Sequence, residues 1–239
     1  MTSRRPASIL IGAGAVGLTV ILLALCVWQV ERRAWKHALI AAVDARVHAP
    51  AVAAPPPAEW TDVRAGNAAY RHVTMTGRFL NDRETLVRAT TERGSGYWVM
   101  TPLRTDGGWT VLVNRGFVPP EWKARTARAA ALPAGEVRVT GLLRVSEPGG
   151  GFLRANDPAQ DRWYSRDVAA ISGRLGLGAV APYFIDADAT PNPGGYPVGG
   201  LTVIRFPDNH MVYALTWFVL ALMTAWAAWR VLRPARSEA

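Results

Sequence analysis

The chain has 239 residues and a net charge of +9, from 25 arginines, 2 lysines and 18 acidic residues. Half of the residues are apolar, and the excess over an ordinary soluble domain lies at the two ends. The basic residues are interspersed with acidic ones and form no run with aromatics, which argues against nucleic-acid binding. The single cysteine, Cys26, excludes an intrachain disulfide and a cysteine-rich metal site.

The first apolar segment runs from Ala7 to Trp28 without a charge. About 20 apolar residues suffice to cross about 30 Å of hydrocarbon as a helix. We therefore expect a cytoplasmic N-terminus over 1–6 and a transmembrane helix over 7–30. Cleavage as a signal peptide is not expected, because the run continues into Trp28 and Gln29 instead of a small-residue site.

Gly12, Gly14 and Gly17 match the G-x-G-x-x-G spacing of dinucleotide-binding turns. Such a turn is followed by a one-faced helix and a second strand, whereas residues 18–27 are apolar on all sides. In a membrane helix, the same small residues let a partner helix approach closely. Residues of matching size occur near the other end of the chain, at Ala221, Ala225 and Ala228. The two apolar segments are therefore predicted to pack together.

Apolar residues at helical spacing continue the first helix to about Ala45, and we assign residues 31–48 to an amphipathic helical extension. Pro50 and the prolines at 55–57 end regular structure, so residues 49–59 are predicted to form a stiff linker.

Residues 60–207 are predicted to form a mainly antiparallel β domain of the α+β type. Alternating apolar residues predict strands over 71–79, 85–90, 97–104, 109–114, 137–145, 183–186 and 201–205. Asp106-Gly107-Gly108 predicts a hairpin turn. Asp167 and Gly176 bound a predicted helix over Val168–Leu175. Many short strands favour a small barrel or a sandwich, with OB-like curvature if Gly77 and Gly141 mark bends.

A second uncharged run, Met211 to Trp229, predicts a transmembrane helix over 208–230 and a cytoplasmic tail over 231–239. Two spans place both termini on one side of the membrane. On the side of the termini, the apolar segments are flanked by arginines at 4, 5, 230, 233 and 236. On the side of the β domain, they are flanked by basic residues at 32, 33, 36 and 205. The positive-inside rule then predicts cytoplasmic termini and a periplasmic domain.

Sequence motifs for catalysis are absent: there is no H-E-x-x-H, G-x-S-x-G or P-loop pattern. The acidic pairs Asp157/Asp161 and Asp186/Asp188 are the candidates for cation binding or acid–base chemistry. They leave a membrane-anchored enzyme with a periplasmic β domain as one alternative.

His210 opens the second apolar run, at the expected level of the membrane surface. It is either an interfacial residue at a helix start, capped by Asp208 or Asn209, or an axial ligand of haem iron. One helical stripe joins it to a set of aromatic and small residues that suits a flat macrocycle: Tyr213 or Ala214, Trp217 and Ala221. Both interpretations remain open on the residues alone.

Four motifs lie in order over nearly the whole chain and are specific in combination. They are Trp28-Gln29 followed by Arg32, Trp35 and Lys36; Gly-Tyr-Trp-Val-Met-Thr-Pro-Leu at 96–103; Asn-Arg-Gly-Phe-Val-Pro at 114–119; and Asn-His-Met-Val-Tyr-Ala-Leu-Thr-Trp-Phe at 209–218. In these motifs the chain resembles the surfeit-locus family of cytochrome c oxidase assembly factors.

The resemblance implies an inner-membrane assembly factor, not an enzyme, that assists haem a delivery to, or maturation of, oxidase subunit I, with its domain in the periplasm or the mitochondrial intermembrane space. We expect the inner membrane of a bacterium. The implied partners are subunit I, haem a synthase and membrane lipid, and the implied iron ligand is His210. Haem a between the spans would contact Tyr213 and Trp217 and pair a propionate with Arg32. A haem-free scaffold for an oxidase intermediate remains the alternative within this class. The predicted cofactor-binding residues are His210, Tyr213, Trp217, Trp28, Gln29 and Arg32.

Overall fold

The computed structural model describes residues 6–233, which divide into two compact units. One unit contains residues 6–42 and 205–233, and the other contains residues 43–204. The α-helices of the described chain are α1 (Pro6–His48), α2 (Ala65–Ala68), α3 (Val168–Leu175) and α4 (His210–Leu232). The arginines at positions 4, 5 and 236, on which the predicted orientation partly depends, lie outside the described residues.

Helices α1 and α4 are both long and apolar enough to cross a membrane. α1 is continuous over 43 residues, so Gly12, Gly14 and Gly17 lie inside a helix. The strand and turn that a dinucleotide site requires are therefore not present there, and that interpretation is wrong.

The two helices pack along a seam of small and hydroxyl residues. Ala214, Ala221 and Ala228 of α4 are buried and recur every seven residues, the repeat that keeps one face against a neighbour. Thr19 Oγ1 lies 2.9 Å from Thr224 Oγ1 across the seam. The predicted packing between small-residue faces of α1 and α4 is confirmed, but not all of the predicted residues lie at the contact. Gly12 is buried against Leu232, whereas Gly14, Gly17 and Ala225 are exposed.

The second unit is built on a seven-stranded sheet. Its strands are β1 (Val52–Ala53), β2 (His72–Phe79), β3 (Thr85–Thr91), β4 (Gly94–Arg104), β5 (Thr110–Val118), β6 (Glu136–Val145) and β7 (Val180–Ala187). The order is β1-β2-β6-β7-β5-β4-β3, and a further β2–β4 pairing closes β2, β6, β7, β5 and β4 into a ring. The domain is therefore a small barrel, which is one of the two predicted architectures, and not a sandwich.

Both faces of the barrel wall are buried on β5 and β7, because a second layer covers part of the outside. Tyr183 and Ile185 of β7 join the core inside the barrel. Phe184, between them, packs outside with Trp163 and with Ile171 of α3. Alternate residues of one strand thus serve two cores, as the period of two in a strand requires.

Most predicted strands are present, although β4 and β7 each begin three residues earlier than predicted, at Gly94 and Val180. β5 continues past residue 114 to Val118, and β1 lies within the segment predicted to be a linker. Residues 201–205 form no strand, so that prediction is wrong. The hairpin at 106–108 joins β4 to β5 as predicted, and Gly108 adopts a φ of 78° there.

The α3 boundaries are confirmed on both sides. The Asp167 side chain accepts a hydrogen bond from the Ala170 amide at 3.1 Å, and Gly176 ends the helix in a left-handed conformation. Gly77 and Gly141 mark close approaches between strands, because a Cβ on either would meet a backbone carbonyl of the next strand.

Candidate functional site

The candidate site lies where α4 begins, at His210. Its Nδ1 atom lies 2.8 Å from Oε1 of Gln29, a residue of α1 that is only 8% exposed. An amide oxygen can only accept, so this contact places a proton on Nδ1, and in the neutral form of the ring the lone pair is then on Nε2. No residue of the described chain hydrogen-bonds Nε2. The α1 contact therefore favours, among the neutral tautomers, the one whose Nε2 is able to bind a metal.

Asp208 holds the first turn of α4. Its carboxylate accepts a hydrogen bond from the His210 amide at 3.1 Å, and Nε2 of His37 lies 2.7 Å away. Arg33 adds an ion pair at 3.6 Å. Asn209 precedes the first residue of α4, but its side chain makes no capping hydrogen bond. The side chain that accepts a hydrogen bond from the His210 amide is that of Asp208.

A polar stripe on α1 makes these contacts. Its members, spaced by four, three and one residues, lie on one helical face: Gln29, Arg33, Lys36 and His37. Lys36 Nζ donates to the carbonyl of Pro207. His37 and Arg33 are not among the residues predicted for the site. The spacing from Gln29 was the signal that could have identified both.

The other predicted haem residues divide into two groups. Trp217 is half-buried, two turns along α4 from His210. Tyr213 and Trp28 are each 53% exposed and lie outside the contact between the helices. The guanidinium of Arg32 stacks 4.0 Å from the ring centre of Trp35. The structure therefore brings together His210 and Gln29, with Trp217 on the same face, and leaves the other three residues at the surface.

The donor set suits a haem iron. A metal-binding histidine ordinarily donates its second ring nitrogen to an oxygen, which sets its orientation. Gln29 provides that oxygen at His210. An Arg32 side chain that ion-pairs a propionate would first have to leave Trp35.

A second polar cluster surrounds Asp186 in the barrel wall, beside a cavity of about 170 Å³. The carboxylate is 3% exposed and accepts hydrogen bonds from Asn114 at 2.8 Å and from Arg144, Arg166 and Thr202 at 3.0 Å each. Its charge is neutralised by the two arginines, so the suggested cation site at Asp186/Asp188 has no support.

The other acidic pair also has protein partners. Asp157 bonds Arg162 at 2.9 Å, and this contact lowers the pKa of the carboxyl. Asp161 accepts the indole N–H of Trp163 at 2.7 Å. In the described chain, no group of three or more histidine, cysteine or acidic side chains forms a metal site.

The Asn114-Arg115-Gly116 motif has a structural role. Asn114 donates to Asp186 and accepts the Gly116 amide at 3.1 Å, so its amide bridges the buried carboxylate and the strand backbone. Arg115 is buried, and this burial lowers its pKa to about 10. The motif at 96–103 lies in β4, where Trp98 packs edge-on against Phe117 at 6.1 Å.

Comparison with known proteins matches most of the chain. The SURF1 family profile covers residues 16–222. Surfeit locus protein 1 of Rattus norvegicus is 36% identical over 85% of this chain and 69% of its own length. The human protein of that name is 34% identical over 87% of this chain and 73% of its own.

The SURF1-like protein of Monosiga brevicollis is 35% identical over 91% of this chain and 85% of its own length. The profile match covers both the α1 contact residue Gln29 and the α4 residue His210. The chain belongs to the SURF1 family.

Proposed function

We propose that this protein is an assembly factor for cytochrome c oxidase that assists haem a delivery to, or maturation of, subunit I. The observation that carries the proposal is the 2.8 Å contact between His210 and Gln29, found in a member of the SURF1 family. The protein has no catalytic role in this proposal. Its partners are subunit I, haem a synthase and membrane lipid.

In this proposal α1 and α4 are embedded in the inner membrane of a bacterium, and the barrel lies in the periplasm. Each helix carries a long uncharged run, and large apolar side chains such as Leu10, Val212 and Met223 are exposed along them. Such surfaces are stable in lipid and costly in water. Arg230 and Arg233 follow the α4 run and favour cytoplasmic termini.

Haem a is the cargo, and its iron binds a neutral imidazole nitrogen. His210 offers Nε2, and Gln29 holds the ring through Nδ1. Asp208 fixes the helix start from which His210 projects, through its bonds to the His210 amide and to His37. The chain's own residues thus orient the ring and present Nε2.

The test is the haem a content of the full-length protein purified from cells that make haem a. His210→Ala is expected to abolish the pigment, because the ligand atom is removed. Gln29→Leu is expected to reduce haem affinity about 10–100-fold, the usual effect of losing a partner behind a metal ligand. Optical spectra of equal amounts of protein measure both changes.

His48→Ala is the matched control, because His48 also lies on α1 and is exposed near its end. It should leave the pigment unchanged. If His210→Ala retains full pigment, the ligand assignment is wrong. If wild-type protein carries no pigment yet co-purifies with subunit I, the protein acts as the haem-free scaffold instead.

A further inference from the structure

The hairpin between β6 and α3 exposes two large apolar side chains at its tip. Gly151 and Arg154 exchange backbone hydrogen bonds of 2.8 and 3.1 Å, so Phe152 and Leu153 form a two-residue turn. These two side chains are 92% and 88% exposed. Leu153 has a φ of 57°, which costs a branched side chain free energy.

Hydrogen bonds hold the base of this hairpin in place. The hydroxyl of Ser165 accepts from the Gly150 amide at 3.1 Å and from Asn156 Nδ2 at 2.9 Å. The side-chain oxygen Oδ1 of Asn156 accepts a hydrogen bond from the Tyr164 amide at 2.8 Å. These bonds hold the base of the hairpin against the domain, while both side chains at its tip are exposed.

A cavity of about 510 Å³ lies beside the tip and is lined by cationic and aromatic groups. The guanidinium groups of Arg88 and Arg154 lie 5.7 and 5.6 Å from the ring centre of Tyr164. None of the described residues that line this cavity is acidic. Arginine groups held over an aromatic ring, without a carboxylate, favour an anion such as a phosphate.

A second cavity of about 420 Å³ shares Arg88 and Tyr97 with the first and extends the positive surface. It adds the cations Lys123 and Arg125, whereas Arg162, which also lines it, is paired with Asp157 at 2.9 Å. Its two acidic residues are engaged by the protein itself. Glu84 is paired with the buried Arg128 at 2.6 Å, and Asp161 accepts the Trp163 indole N–H.

We infer that this face binds the surface of an anionic phospholipid membrane. Phe152 and Leu153 enter the boundary between headgroups and acyl chains, and Arg88 and Arg154 bind lipid phosphates. Apolar residues beside arginines are the combination that binds membrane interfaces. The inference rests on the membrane anchoring in the proposed function, which keeps lipid within reach, and it does not depend on the oxidase or on haem.

The experiment places a fluorescent label on the full-length chain in nanodiscs of phosphatidylcholine and phosphatidylglycerol. In a Cys26→Ala background, Phe152→Cys reports on the tip. Met223→Cys, at an exposed position within α4, is the lipid reference. Asp106→Cys, in the exposed β4–β5 turn, is the aqueous reference. Doxyl-labelled lipids quench a label in the membrane, and iodide quenches one in water.

The label at position 152 is expected to be quenched severalfold by doxyl lipid and protected from iodide, as at position 223. Quenching by iodide alone would overturn the inference. Protection from both quenchers would indicate a protein contact and would overturn it too. If the label at position 223 is itself in water, the anchoring fails, and with it the proposed function.

Charge is tested separately with Arg88→Gln combined with Arg154→Gln. Loss of both cations is expected to return the label at position 152 to iodide access in the same nanodiscs. The matched control removes two exposed arginines that do not line the first cavity, Arg78→Gln with Arg104→Gln. If both double variants restore iodide access, net charge is responsible and the assigned phosphate site is wrong. If neither does, the label does not depend on these cations, and the assigned phosphate site is wrong too.

Discussion

Replacing Asp186 with alanine is expected to destabilise the barrel domain by about 3–5 kcal/mol, the usual cost of removing one partner from a buried ion pair. The carboxylate is 3% exposed and bonds both Arg144 and Arg166. Burial disfavours the charged form of Arg166, but Asp186 and Glu147 outweigh it and raise the pKa above its ordinary value. Without Asp186, two partly buried cations would share only Glu147.

Urea unfolding of the full-length protein, followed by tryptophan fluorescence, measures this loss. Asp188→Ala is the control, since Asp188 lies two residues along the chain and accepts only the Thr190 amide, at 2.9 Å, among the described residues. It should cost about 1 kcal/mol or less, as one modest hydrogen bond does. A loss below about 1 kcal/mol for Asp186→Ala would show that the cluster contributes little to stability.

Gly116→Ala is expected to cost about 2–5 kcal/mol, from backbone strain and lost hydrogen bonds. Gly116 has a φ of 128°, a conformation that side chains rarely adopt. An added Cβ would also meet the Val198 carbonyl group and lie 2.6 Å from the Gly199 nitrogen. Val198 and Phe117 exchange two backbone hydrogen bonds of 2.9 Å, which the displaced segment would lose.

Gly173→Ala is expected to have the opposite effect on the free energy of unfolding, measured by the same urea titration. Gly173 lies inside α3, and a Cβ there would meet nothing within 4 Å. Alanine should therefore stabilise the protein by about 0.5–1 kcal/mol, because it restricts the unfolded chain and favours the helix. Equal effects of the two substitutions would contradict the close approach at Gly116.

Local sequence signals predicted those parts of the fold that are determined locally. Asp167 and Gly176 predicted both ends of α3, because caps act within one turn. The error at residues 201–205 has a non-local cause. Thr202 donates a hydrogen bond to the buried Asp186, and Val203 is 63% exposed. The alternating apolar residues of this segment therefore do not pair with a neighbouring strand. A strand needs a neighbour, and the sequence does not specify one.

The candidate site was predicted in part for the same reason. His210 could be identified because a histidine at the start of an apolar helix is unusual. Its partner Gln29 lies 181 residues away in sequence, and His37 lies 171 residues from Asp208, through which it acts. Arg32 was expected to face the site, but it turns to Trp35 on its own helix. Which way a residue faces depends on helix rotation, which the partner helix determines.

The place of β7 between β5 and β6 determines when the domain can reach its native state during synthesis. Nearly the whole barrel wall precedes it in the chain, yet β5 and β6 each lack one neighbour until residues 180–187 arrive. Strands with free edges pair readily with other chains. The barrel therefore cannot close before residues 180–187 have been synthesised, and until then the edges of β5 and β6 are free to pair with another chain.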